Sequence, residues 1–429
     1  MKMDGKMKTF ATTPFDWFNF VAQNFNSNAL IQFVLRFDKC PDFDLLVRAL
    51  RCCLMADPVL GCRFLVKDDM PQWVYAGLDA AHLFEKRLTE EVESAVGLCL
   101  AERLDASQVC PVKLCMVVGV DDARLVIKVH HAVCDAGGAL QFVKMLAAMY
   151  GKVGDDPDFM PEPGIPCRGT EAFCRHFGVE DKSSRLDMSL LPDMRCTWGT
   201  PFGDVASGQT FAYQAVRFSD VQLDRMKTFA QSNGGSLNAL VTLAYHKALV
   251  LLLNPEADGK EIQFSVNLRR FTDGGNTVCN LSNMTNVTLP TKGSLAELAA
   301  VAKCAIDKAV APELMLQGVL ACELMSTDFK SLDSFYASDW ENVKRTGLCT
   351  PMISNVGKLD DAPICFGQCD VKDMMLISPA FVSPSFMLSV STYRKVMTLC
   401  VAYQKPSMDD GFVTALLSEM KSMLAENLY

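Results

Sequence analysis

The chain has 429 residues, half of them apolar and 21% charged, with a formal net charge of -9. Such a length implies two to three domains, each with enough chain to bury a sizeable core, and it excludes a disordered or fibrous protein. With 41 Lys+Arg against 50 Asp+Glu and no basic run, nothing here would displace the counterions of a nucleic acid.

The amino terminus passes from a few lysines into Thr13-Pro14-Phe15-Asp16-Trp17 without the apolar core segment that secretion requires. Strand Leu30 to Phe37 is predicted with Ile31, Phe33, Leu35 and Phe37 on one face. Pro41-Asp42 then opens a helix whose apolar stripe is Phe43, Leu46, Val47, Leu50 and Leu54. A strand over Leu60 to Lys67 follows Pro58. Val112 to Val120 and Ala123 to His131 are β-rich runs parted by Asp121-Asp122, the form of a hairpin. A helix from about Gly138 to Tyr150 comes next. Between Gly151 and Thr210, Pro157, Pro161, Pro163, Pro166, Pro192 and Pro201 mark a crossover, which divides the chain into a first domain over 1-195 and a second over 196-429.

The second half opens with a strand over Phe211 to Phe218 and a helix capped by Ser219 and Gln222. Gly234-Gly235-Ser236 breaks that helix before Leu237 to Leu253, the longest apolar stretch. Asn238, His246 and Lys247 inside it argue for a buried helix and against a membrane span. Strands are predicted at Glu261 to Leu268, Thr285 to Leu289, Thr350 to Val356, Pro384 to Tyr393 and Lys395 to Tyr403. Helices are predicted at Ser294 to Val310, opened by a capping box with Glu297, and at Met408 to Leu428. Each half mixes strands and helices in comparable amounts, which reads as two α/β sandwiches of similar size.

The 18 cysteines lie scattered, and Cys52-Cys53, Cys115, Cys304 and Cys400 stand where Ala or Val would serve. Cys365 and Cys369 read as buried small hydrophobes. A reducing, cytoplasmic location is expected.

Among five histidines, two are adjacent and an aspartate follows: His130-His131-Ala132-Val133-Cys134-Asp135-Ala136-Gly137-Gly138. The run falls where a strand ends and a Gly-rich turn enters a helix, a place where side chains can face a cleft. Strand alternation puts His131 with Leu125, Ile127 and Val129 and His130 with Val126 and Lys128, so the two rings diverge. That is the physical case against a metal site. An imidazole at a cleft is suited to removing a proton from a hydroxyl, thiol or amine near neutral pH. Asp135 can orient that ring or pair with a basic residue from another strand. The plainer reading makes His131 a satisfied core histidine and Asp135 a helix cap. Gly137 and Gly138 permit tight backbone approach. No Gly-x-Ser-x-Gly elbow, P-loop or dinucleotide fingerprint occurs.

These residues resemble the HHxxxDG signature of the chloramphenicol-acetyltransferase-like superfamily, which includes peptide-synthetase condensation domains, free-standing lipid and polyketide assembly acyltransferases, and alcohol acyltransferases. Further segments look like others of that superfamily: Asp44 to Phe64, ending in Pro58-Val59-Leu60-Gly61-Cys62-Arg63-Phe64; Ser219 to Leu249; Val266-Asn267-Leu268-Arg269; and Ser354-Asn355-Val356-Gly357. The resemblance implies two sandwich domains in a V with a tunnel between them. It implies that His131 is the general base, that His130 supports it, and that Asp135 is structural and pairs with an arginine of the second half. Arg269 holds that position, with Arg270 beside it. Asn355 would line the tunnel, and Gly137 and Gly138 would border the bound substrates. The implied substrates are an acyl-CoA or acyl-carrier thioester and an alcohol or amine acceptor, with no cofactor. An acyl or peptidyl carrier protein is the implied macromolecular partner.

Ala136 departs from the signature, which has glycine directly after the aspartate. The plant branch's Asp-Phe-Gly-Trp-Gly motif is absent. Three functions stay open: a CoA-dependent acyltransferase, a condensation enzyme served by carrier proteins, and a catalytically silent scaffold.

Overall fold

Leu30–Phe37 is a strand buried on both faces, with only Arg36 reaching solvent. Phe33 and Leu35 enter one apolar core while Val34 enters another, so the run is almost continuously apolar where a one-sided strand would alternate. The computed structural model describes residues 8–426 except 78, 165–167, 192–195, 202, 206–207, 273–276 and 327. Within them lie two six-stranded sheets, each backed by helices.

The first sheet runs Cys365–Phe366, Cys369–Ile377, Leu30–Phe37, Ala123–His130, Val112–Val118, Phe84–Leu88. Its two central strands pair antiparallel, with Leu30 opposite His130 and Phe37 opposite Ala123. Helices Phe43–Ala56 and Ala136–Asp155 pack on one face with Leu46, Leu50, Phe142 and Leu146 in the core. The second sheet runs Ser282–Pro290, Gly259–Asn267, Met352–Lys358, Met387–Tyr393, Val396–Lys405, Thr210–Phe218, and Leu237–Leu253 lies in its core with Leu240, Leu243 and Leu249 fully enclosed. No single helix among the described residues is long and apolar enough to cross a membrane, although Asp220–Ser232 and Leu237–Leu253 pass that test as a pair bent by 94°.

The first sheet draws on both halves of the chain. Strand Cys369–Ile377 leaves the second half and completes the first sheet against Leu30–Phe37, and Phe329 and Leu332 join the first core. A third apolar cluster, with Val34, Val126 and Ile377 from the first sheet and Cys400 and Ala402 from the second, joins the two. Long-range pairing of this kind leaves no local mark in a sequence.

Helix and strand limits shift for identifiable reasons. The helix predicted from Gly138 starts at Ala136, because Asp135 is its N-cap, and it runs on to Asp155 with Val153 buried. The strand predicted from Leu60 starts at Cys62, after a 3-10 turn Pro58–Gly61. That predicted from Pro384 starts at Met387. Both Ser219 with Gln222 and Ser294 with Glu297 form reciprocal capping boxes. The last predicted helix is Asp410–Lys421 followed by a π turn over Ser422–Glu426, and residue 428 lies outside the described residues. Cys365 and Cys304 are exposed, which corrects the reading of both as apolar filler. Cys115 lies beside Cys99, their Cα atoms 6.6 Å apart.

Candidate functional site

The motif strand ends at His130, and the chain turns at once: the His131 N–H donates to Ala29 O at 2.8 Å and the Val133 N–H to His130 O at 3.0 Å. Asp135 Oδ1 accepts the Gly138 N–H at 2.7 Å, which caps the following helix. Ala136 is the first residue of that helix and lies outside the left-handed region. Alanine therefore costs no backbone strain where the signature has glycine.

Two ion pairs hold the turn. Arg269 Nη1 lies 2.9 Å from both carboxylate oxygens of Asp135, and the two side chains are only 9% and 5% exposed. Asp135 Oδ2 also accepts the Leu281 N–H at 2.8 Å, while Arg269 Nη2 donates to Cys279 O at 2.8 Å. With its acceptors so engaged, Asp135 makes no hydrogen bond to the His131 imidazole.

The second pair was missed from the sequence. Arg168, in the Pro-rich crossover, meets the fully buried Asp16 at 2.9 Å and donates to Val133 O at 2.7 Å. Trp73 Nε1 donates to Asp16 Oδ2 at 3.1 Å. Asn280 joins this group from the second half: its Nδ2 lies 3.0 Å from the carbonyl oxygens of both His131 and Ala132 and 3.1 Å from Asp16 Oδ1. Thr13-x-x-Asp16 forms a capping box that the sequence does display, but nothing local announces partners 152 and 264 residues away.

The two histidines differ in kind. His130 is fully buried; its Nδ1 accepts the Ala132 N–H at 3.1 Å, so Nε2 carries the proton donated to Gln23 Oε1 at 2.9 Å. Burial, then the neighbouring His131, pushes its pKa down to about 3. The His131 residue is partly exposed. Its Nδ1 is enclosed and unpartnered. Burial holds its pKa below the ordinary histidine value, opposed by its own carbonyl, Asp135 and Asn280. That depression favours the neutral imidazole, and Nδ1 is the ring nitrogen turned inward. Burial raises the thiols of Cys134 and Cys279, which keeps both protonated and unreactive. No group of three His, Cys, Asp or Glu among the described residues is placed to hold a metal.

Close approach explains the glycine pair. A Cβ on Gly137 would stand 2.9 Å from Arg269 Nη1, and one on Gly138 would stand 2.7 Å from Cys134 Cβ and 2.8 Å from Cys279 O. Both positions thus serve the junction between the halves. Asn355 donates to Asn238 Oδ1 at 2.8 Å and lines a cleft of about 280 Å³ with Ser265, Asn267 and Arg270.

No protein-family model matches the sequence, and no curated protein is significantly similar to it. Solved structures are similar over nearly the whole chain. Polyketide synthase associated protein 5 from Mycobacterium tuberculosis aligns over 98% of this chain and 100% of its own, with TM-score 0.69 and 17% identity. The trichothecene 15-O-acetyltransferase of Fusarium sporotrichioides aligns over 99% and 96%, with TM-score 0.72 and 13% identity. The first condensation domain of the calcium-dependent antibiotic synthetase aligns over 98% and 96%, with TM-score 0.68 and 15% identity. The chain therefore has the fold of these structures over nearly its whole length.

Proposed function

We propose that this chain is an acyltransferase that moves an acyl group from a thioester to a hydroxyl or amine, with His131 as general base. The observation that carries this reading is a partly exposed His131 on a turn pinned from both halves of the chain, with burial holding its pKa below the ordinary histidine value. Nε2 takes the proton of the acceptor as its oxygen or nitrogen attacks the thioester carbonyl. The tetrahedral intermediate expels the thiolate, which leaves with that proton as a thiol. Asp135 acts through Arg269 by fixing the turn, and catalysis rests largely on holding two substrates in register.

The donor is coenzyme A or a carrier protein's pantetheine arm. The trichothecene acetyltransferase among the similar folds supports a free-standing transferase, and the synthetase condensation domain supports carrier-bound donors. The many free cysteines support a reducing, cytoplasmic setting.

The test is thiol release from acyl-CoAs of varied length, and from the same acyl groups on a carrier protein, with pooled alcohols and amines. His131→Ala is expected to abolish release while the protein stays folded. Undiminished turnover by that variant would refute the mechanism, and no release from either donor would leave the scaffold reading.

A further inference from the structure

Arg269 and Arg270 are neighbours that the fold sends to different places. Arg269 is consumed by Asp135 and Cys279 O. Arg270 is exposed, has no carboxylate partner among the described residues, and lines the cleft of about 280 Å³. The floor of that cleft is apolar: Phe264, Val266 and Ile353 are buried there, with Ile306 beside them. Its rim is polar, with Asn238, Asn267 and Asn355, and carries Lys303 and Asp307. Lys303 is paired with Asp307 at 2.5 Å, so those two charges offset each other and Arg270 is the unbalanced one.

The cleft also adjoins the motif turn. Asn267, on its rim, brings Nδ2 within 3.2 Å of where a Cβ on Gly137 would be, and Oδ1 of the same side chain accepts from Arg269 Nη1 at 3.3 Å. One asparagine thus separates the cleft from the structure that positions His131.

We propose that this cleft binds the anionic, partly apolar portion of a substrate, with Arg270 as the specificity-determining residue that reads its charge. The proposal rests on the acyl-transfer reading for the substrate's role, and not for its binding. A phosphate or a carboxylate suits a guanidinium fork equally, and the apolar floor accepts the carbon chain attached to it. The two sources are the phosphates of coenzyme A and the carboxylate of an acid-bearing acyl group or acceptor.

Calorimetric titration separates them. Wild type, Arg270→Ala and Arg270→Lys are titrated with coenzyme A, with neutral pantetheine and with octanoate, and melting curves confirm that the variants are folded. Arg270→Ala is expected to weaken at least one anionic probe about tenfold or more and to leave pantetheine unchanged, with partial recovery in Arg270→Lys. Loss confined to coenzyme A assigns the phosphate, and loss confined to octanoate assigns the carboxylate. Wild-type affinity of Arg270→Ala for both anions would overturn the proposal, as would failure of wild type to bind either. Binding that depends on Arg270 in a protein without thioester turnover would sink the acyl-transfer reading and keep the cleft.

Discussion

Arg269 and Asp135 are 134 residues apart in sequence and meet at 2.9 Å through one guanidinium nitrogen that reaches both carboxylate oxygens. The pair ties the first turn of the motif helix to the end of strand Gly259–Asn267, so the motif's shape depends on both halves of the chain.

Asp135→Ala is expected to destabilise the protein by about 3–5 kcal/mol, because Arg269 is left as a nearly buried, uncompensated charge. Thermal and denaturant unfolding measure this. A melting curve matching wild type would sink the structural role of the pair.

Asn280 is expected to be more sensitive to aspartate than to alanine. Asn280→Ala leaves the His131 and Ala132 carbonyls without their donor, at about 1–3 kcal/mol. Asn280→Asp adds a carboxylate at a site 3.1 Å from Asp16 Oδ1, where like charges repel. In the acyl-transfer reading both variants lower kcat more than they raise KM, since the turn and not the substrate is disturbed. Equal stability of the two variants would contradict this account.

Gly138→Ala is expected to cost about 1–3 kcal/mol by overpacking, because the new methyl meets the backbone of Cys279 and the Cβ of Cys134, neither of which is a flexible chain end. Ala136→Gly, by contrast, relieves no contact and removes a good helix former, so unfolding measurements should show a small loss. A stabilised Ala136→Gly would show that the alanine is strained.

The rate is expected to fall on acidification with a one-proton slope whose midpoint lies below 6.5, since burial depresses the His131 pKa and the base must be neutral. A pH profile of kcat/KM checks this, and a midpoint above 7 would remove His131 from the role.

Acid should also weaken the fold through buried histidines. His130 and His246 are pushed down to about 3 and about 4 by burial, against about 6.5 in the unfolded chain. Between those values only the unfolded state binds the proton, so this stability is complete above pH 6.5 and is lost as pH falls below it. Each imidazole withdraws about 1.4 kcal/mol per pH unit in that window. Both ring nitrogens of His246 are buried and unpartnered, so His246→Leu should flatten the acid limb of stability between pH 6.5 and 5 by that slope. An unchanged limb would show that His246 does not stay neutral.

The order of strands and helices around the motif was legible because it is written in local terms: apolar period, Pro and Gly punctuation, and side-chain caps such as Ser219 with Gln222. His131 and Asp135 were legible because two histidines and an aspartate fall together at a strand-to-helix turn, and Arg269 followed from the superfamily resemblance. The sequence by itself thus determined the α/β character and singled out the segment and the base of the proposed chemistry. Only the tertiary structure decided which arginine turns inward to Asp135 and which lines the cleft, that Cys369–Ile377 crosses to the first sheet, and that Asp16, Arg168 and Asn280 brace the motif turn. Most of those contacts join residues more than a hundred positions apart. Their strength comes from desolvation and hydrogen bonding at one point in space, which no short-range pattern along the chain encodes.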